Sequence, residues 1–406
     1  MQHTDGGYRA RNLNIFDLKM ARLSPQALLF VVFQILGRVA CLKEVDDEQC
    51  NCYLTNDSSS HYFTTHKFFD FRELAEYANV PDPIVDAYDS SQADVTSDYF
   101  SAVDWDSVWG IQQWNNSDSV KSGDAPVLMV NSPNNIYIEK NEDENASSDT
   151  FLTMRTLRYE HHQSAAEFES KSKAYHFLSV RMYARTIGDP GAVTAMFTYR
   201  DSGDPNLLTS VQESDLEIRT MDPRNKVQYT NQPSYSKKGD DIPAATRNAT
   251  TPIQADWTQW SVHRMDWTPT ATTWYIDGRN VASIAFQVPR DPSQVIFNTW
   301  SDGGEWSGNM SVGGSAYLQV QWIEIVYNKT GNDHTSRKRD DEPLWSFPRE
   351  KRDDGGCQNV CSIDDTPTVG TPVLLQSGGS RTSHHMLGLG LAYAWLPLLV
   401  ATLFFY

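Results

Sequence analysis

The sequence predicts an all-β protein built as a β-sandwich, and three observations carry that expectation. Between Asp104 and Tyr327, short runs rich in Val, Ile, Tyr, Phe and Trp are separated by clusters of Gly, Pro, Asn, Asp and Ser, as strands and turns require. Helical periodicity is scarce, with Phe68 to Tyr77 the best local candidate. Glu213-Ser214-Asp215-Leu216-Glu217 places three acids on alternate residues, and a strand points alternate residues to one face. More than 200 residues of this pattern suit one large sandwich.

The segments follow in chain order. Ala27 to Leu36 is an apolar run behind Lys19 and Arg22; at about ten residues it is too short to span a bilayer and suits the h-region of a secretory signal. Residues 1–41 are read as that signal, with Met20 as an alternative start; a membrane anchor or buried helix is the competing reading. Cleavage after Cys41 leaves four of the five cysteines, an even set suited to disulfides in an oxidising compartment. Cys50 and Cys52 are too close to pair comfortably with each other, so they staple to Cys357 and Cys361, or those two bridge locally.

Residues 42–99 are read as an N-terminal extension and 100–328 as the sandwich proper, with strands such as Asn135–Glu139, Phe177–Tyr183, Ala192–Tyr199, Thr273–Ile276 and Leu318–Tyr327. Residues 329–376 contain dibasic and acidic clusters and a Thr/Pro/Ser/Gly-rich end, the composition of a linker. Its dibasic pairs are exposed charge or, alternatively, proprotein-convertase sites. Small residues Ser377-Gly378-Gly379, a polar spacer and an apolar tail ending at Tyr406 form a GPI-attachment signal over 377–406, a retained tail helix being the alternative. Six N-x-S/T sequons, at Asn56, Asn115, Asn145, Asn248, Asn309 and Asn328, accompany this extracellular, surface-anchored expectation.

A formal net charge of −18 argues against nucleic acid or anionic lipid as partners. Twelve Trp and eighteen Tyr suit carbohydrate, whose apolar faces stack on aromatic rings, although aromatics also fill sandwich cores; Trp267 and Trp274 are assigned there. No Ser-His-Asp order, phosphate loop or zinc spacing stands out. The adjacent pairs His161-His162 and His384-His385 suit one tetrahedral metal poorly and are read as surface, so neither metal nor cofactor is expected.

Acids make up 52 of 406 residues, so chance supplies roughly one acidic triplet at alternate positions, and Glu44-Val45-Asp46-Asp47-Glu48 is a second copy. That copy carries a fourth acid, lacks strand alternation and is read as a solvated face. Context separates the two. Trp260 to Gly278 contains Asp266-Trp267-Thr268-Pro269, an apolar strand and Asp277-Gly278; Asn298 to Gly308 is a loop rich in Trp and Gly; Gly191 to Phe197 and Val227 to Asn231 flank the triplet.

Taken in order, these segments resemble glycoside hydrolase family 16 over about residues 100–328. The resemblance implies a concanavalin A-like jelly-roll of two antiparallel sheets with a concave glycan-binding cleft, acting on β-linked glucans. It implies that Lys173 to Tyr199 forms the paired strands preceding the catalytic one. Glu213 would be the nucleophile, Asp215 would orient it, and Glu217 would serve as general acid and then base. The outer Cα atoms would stand roughly 13 Å apart at about 3.3 Å per residue, and inward-leaning Glu side chains reach the ~5–5.5 Å of a retaining enzyme. Asn231, Trp300 and Trp306 are the candidate substrate contacts.

The regular five-residue form resembles the lichenase, xyloglucan-transferase and fungal chitin–glucan crosslinking branches, and a tethered acidic protein fits fungal wall-remodelling members, acting as a monomer. The chain departs from the family at Gln212, where Asp is common, at Ser214, which replaces an apolar residue, and at Ile218-Arg219, where an aromatic is common. The expected function is a retaining hydrolase or transglycosylase of cell-wall β-glucan. A non-catalytic lectin-like wall protein on the same fold is the main alternative, a structural glycosylated surface protein a lesser one.

Overall fold

A computed structural model describes residues 43–203, 211–236, 238–252, 256–330, 357–364 and 366–376. The expected signal sequence, the GPI-attachment signal and both dibasic clusters lie outside the described residues. Among the described residues no helix is long and apolar enough to cross a membrane.

The body is all-β: a 16-stranded ladder folded into two mainly antiparallel layers as a jelly-roll sandwich. One layer runs, from edge to edge, through Thr246–Thr250, Lys226–Gln232, Gln212–Arg219, Val193–Arg200, Gln294–Trp300 and His162–Ser170 to Trp109–Ile111. The other runs through Arg279–Ile284, Thr272–Ile276, Ser261–Trp267, Tyr175–Gly188 and Ser315–Lys329 to Thr150–Arg158. Leu157 pairs with Ser164 and Arg158 with Gln163, joining the layers at one edge.

Between the layers lies a single large core. Met196, Leu216, Ile218, Phe168 and Phe297 enter it from the first layer, and Val180, Met182, Met265, Trp267, Trp274 and Leu318 from the second. Trp267 and Trp274 are core residues, as expected, both at 0% exposure.

Three local expectations are corrected. Phe68 to Tyr77 is not a helix: Thr65–Asp70 is a strand on Ser315–Lys329, followed by a 3-10 turn at Ala75–Tyr77. Phe69 and Phe71 are buried, so period-two burial outweighs the weak helical pattern. His162 is buried rather than on the surface, its ring stacked on Tyr159 at 4.8 Å. The strands within Lys173–Tyr199 do not pair with each other; they belong to different layers. The corner between them uses Gly188 and Gly191 at φ +126° and +102°, where a Cβ would collide with the backbone of Ser315–Ala316 and of Met310. Glycine alone fits both demands.

The tail is likewise not all linker. Val360–Ser362 and Val373–Gln376 join Cys52–Leu54 and Tyr62–Phe63 in a small second sheet. Two disulfides, Cys50–Cys361 and Cys52–Cys357, clamp that tail to the start of the domain, which settles the staple against the local bridge. Tyr53, Phe63, Cys361 and Ile363 pack on Val326 of the second layer. Composition obscured this because the apolar content of the tail is low, and its fold depends on partners about 300 residues away.

Beneath this cap the outer face of the second layer carries charge. Arg181 pairs directly with Glu324 on one side and Arg264 on the other. Asp364, from the tail, contacts Arg181 at 2.8 Å and Arg264 at 3.3 Å; Arg264 also binds Asp266 at 2.5 Å. His66 bridges Asp47 at 2.8 Å and Glu324 at 3.0 Å. The segment Glu44–Glu48 is therefore only partly a solvated face: it forms a 3-10 turn at Asp47–Gln49, and Asp47 also accepts a hydrogen bond from the Tyr53 hydroxyl at 2.7 Å.

Candidate active site

Strand alternation sorts Gln212–Arg219 into two faces. Ser214, Leu216 and Ile218 turn into the sandwich, all three buried. Glu213, Asp215 and Glu217 turn the other way and line a cleft of about 410 Å³ on the first layer. The structure thus brings the three acids together on the cleft floor. Their direct neighbours on Val193–Arg200 are Tyr199, Phe197 and Ala195 respectively, which line the same cleft. The small Ala195 beside Glu217 keeps that end open, whereas rings flank the other two acids.

Low solvation and mutual proximity govern the acids. Burial pushes Glu213 up to about 6, opposed by a hydrogen bond from Asp215. Burial, the charges of Glu213 and Glu217 and the hydrogen bond to Glu213 raise Asp215 well above the usual carboxylate range. The hydrogen bond between them lowers Glu213 and raises Asp215, so it favours a protonated Asp215 donating to an ionised Glu213. Burial raises Glu217 to about 7, with the charge of Glu213 adding to it and Trp306 and Arg219 opposing.

The candidate substrate contacts divide. Trp300 lines the cleft. Trp306, 37% exposed, donates its indole N–H to Glu217 Oε1 at 3.2 Å. Its ring lies under the Arg219 guanidinium, 4.5 Å from the centroid, and Arg219 is itself held by Asp222 at 2.8 and 2.9 Å. Arg219, at a departure from the family pattern, thus supports the loop that reaches Glu217.

Asn231 is a correction. It pairs with Ser214, not with an acid, so it points away from the cleft. There it accepts from the Ser214 hydroxyl at 2.7 Å, donates to the Phe286 carbonyl at 2.9 Å and is fully buried. It ties Lys226–Gln232 to its surroundings and touches nothing in the cleft.

Sequence reasoning missed the far wall. Trp114, Asn131, Glu167, Glu169 and Asn298 all line the cleft. Asn298 pairs with both Ala195 and Glu167, so Glu217, Ala195, Asn298 and Glu167 form one row across the layer. Trp114 Nε1 donates to Glu167 Oε1 at 2.6 Å and Asn298 Nδ2 to Oε2 at 3.4 Å. Burial nonetheless raises Glu167 to about 7. The signal was available: Glu167 and Glu169 alternate on a strand as Glu213 and Asp215 do, without flanking motifs to mark them. Among the described residues no group of three or more His, Cys, Asp or Glu side chains is arranged to hold a metal.

A two-layer sandwich with a carboxylate-floored groove across one sheet defines the class. Residues 131–324 match the model described as Glycosyl hydrolases family 16, a little under half of the chain. The chain is 25% identical over 177 residues to a xylanase/beta-glucanase of Ruminococcus flavefaciens; the match covers 43% of this chain and 20% of that protein, so the chain spans about a fifth of that relative's length. Similar solved structures include an endo-beta-1,3-glucanase from Pyrococcus furiosus, at 16% identity and a TM-score of 0.45, covering 68% of this chain and 99% of that one. Another is a Bacillus licheniformis beta-glucanase, at 19% identity and a TM-score of 0.40, covering 55% and 92%.

Proposed function

We propose that this cleft is the active site of a retaining hydrolase or transglycosylase acting on β-glucan. One observation carries the reading: three acids share one face of a strand at the cleft floor, and their surroundings set different proton affinities. In the first step the ionised Glu213 attacks the anomeric carbon, held and oriented by the proton of Asp215. The glycosidic C–O bond breaks as Glu217 gives its proton to the leaving oxygen, and a glycosyl ester on Glu213 results. In the second step the Glu217 carboxylate takes a proton from water or from a sugar hydroxyl, whose oxygen attacks the same carbon and releases Glu213. Water gives hydrolysis; a sugar gives transfer.

The match to the family 16 model and the relative named as a xylanase/beta-glucanase support a β-glucan substrate. Two disulfides support an oxidising, extracellular compartment. We further propose a GPI-tethered protein working as a monomer at a cell wall, of the fungal remodelling type, the anchor resting on the sequence features of residues 377–406.

Product sizes from laminarin, lichenan and chitooligosaccharides test the reading. Products longer than the substrate indicate transfer, and only shorter ones indicate hydrolysis. Glu213→Gln should lower turnover on the order of 10⁴- to 10⁶-fold while glycan binding persists. Unchanged turnover would remove Glu213 from the role of nucleophile, and wild-type binding without turnover would leave a lectin-like protein.

A further inference from the structure

We infer that the cleft wall opposite Trp306, built from Trp114, Asn131, Glu167, Glu169 and Asn298, is a subsite for a cationic amino sugar, one whose amine is free rather than acylated. This deepens the proposed function and rests on it. Glu167 lies three strand steps from Glu217 along the row through Ala195 and Asn298, about 14 Å at roughly 4.8 Å per strand. An oligosaccharide spans that distance and a single sugar does not. The wall is therefore a separate subsite rather than part of the reacting centre.

Charge identifies the occupant. Among the fifteen described residues lining the cleft, five are carboxylic acids and none is lysine or arginine. Outside the catalytic triplet, Glu167 and Glu169 receive neutral donors only: Trp114 and Asn298 on one, Gln294 at 2.5 Å on the other. A carboxylate offers about four acceptor positions, so acceptor capacity exceeds these donors. Asn298 Oδ1, another acceptor, is buried without a partner. An ammonium group supplies three donors and a positive charge beside Glu169, and Glu167, raised to about 7 by burial, ionises as it pairs. The net charge of −18 attracts such a ligand and disfavours sulfated or uronic polymers.

Two further groups complete the subsite. Asn131 is 1% exposed and lines the cleft, and its Nδ2 is buried without a partner. It is a donor for a ring or hydroxyl oxygen of the same sugar. Trp114, 46% exposed and pinned through its indole N–H to Glu167, offers its ring as a platform for the apolar sugar face. Together they demand a sugar body as well as a cation, which a free amine or a metal ion does not satisfy.

The test uses the full chain with Glu213→Gln, so that ligands stay intact, titrated calorimetrically at pH 6 with short β-linked oligomers of equal length made of glucosamine, N-acetylglucosamine or glucose. The glucosamine oligomer should bind about tenfold more tightly than either neutral one, the worth of one charge-assisted hydrogen bond. Added salt should erase the advantage, and so should Glu169→Gln placed in the same background. Should Glu169→Gln fail to fold, the salt dependence of the parent decides alone. Equal affinity for all three oligomers, or a preference that survives both salt and Glu169→Gln, overturns the subsite. Failure of the catalytic reading shows separately, as absence of turnover by the wild-type chain on every β-glycan.

Discussion

Trp306 reaches Glu217 from 89 residues further along the chain, its indole N–H 3.2 Å from Oε1. That bond favours the ionised carboxylate, because a donor stabilises the charged form. Burial works against it and prevails, leaving Glu217 at about 7 and Glu213 at about 6.

A pH profile follows from these two groups. The first step needs Glu213 ionised and Glu217 protonated, so kcat/KM should describe a bell, rising through about 6 and falling through about 7. Trp306→Phe keeps a ring for Arg219 but removes the donor. Its basic limb should move to higher pH while the acidic limb stays. An unmoved basic limb would show that Trp306 does not act on Glu217.

Leu216 lies between Asp215 and Glu217 on the same strand but faces the core at 0% exposure. Leu216→Ala should cost about 2–5 kcal/mol of stability, the usual range for such a cavity. Glu217→Gln, one residue along, should cost far less stability and on the order of 10²–10⁴-fold in turnover. Denaturant midpoints and steady-state rates measured on both variants check the contrast between faces.

His66 gives stability its own pH dependence. Burial pushes its imidazole down, but the carboxylates of Asp47 and Glu324 outweigh burial and lift it to about 9. The folded value thus exceeds the unfolded value of about 6.5. The associated stability is complete below about 6.5 and is lost as pH rises towards about 9. The melting temperature should fall across that window, and His66→Asn should start lower and flatten the fall. An equally steep decline in the variant would assign the effect to other groups.

The two disulfides hold the tail on a face remote from the acids. Replacing Cys52 and Cys357 together with serine leaves Cys50–Cys361 in place. The change should lower stability by about 2–4 kcal/mol and expose residues 357–376 to protease. Activity at low temperature should persist. Limited proteolysis with mass spectrometry, run beside a turnover assay, separates the two effects.

The β class, the acidic strand and the common face of Glu213, Asp215 and Glu217 were legible in the amino-acid sequence. Each rests on period-two alternation within a few residues, and that periodicity is local. Local chemistry also placed Trp267 and Trp274 in the core. Asn231 shows where such reasoning stops. Its strand was recognisable, but its face depends on register, and pairing with Ser214 rather than with a neighbouring acid sends it away from the cleft.

The same limit hid Glu167 and Glu169, which reach the cleft because Gln294–Trp300 and Val193–Arg200 lie between their strand and the acidic one. It hid the folded tail as well, whose disulfide partners are 305 and 311 residues away. Which residues share a strand face is decided by backbone geometry along the chain. Which strands become neighbours, in what register and under what cap, is decided by how the layers bury their apolar faces, and only the tertiary structure records that outcome.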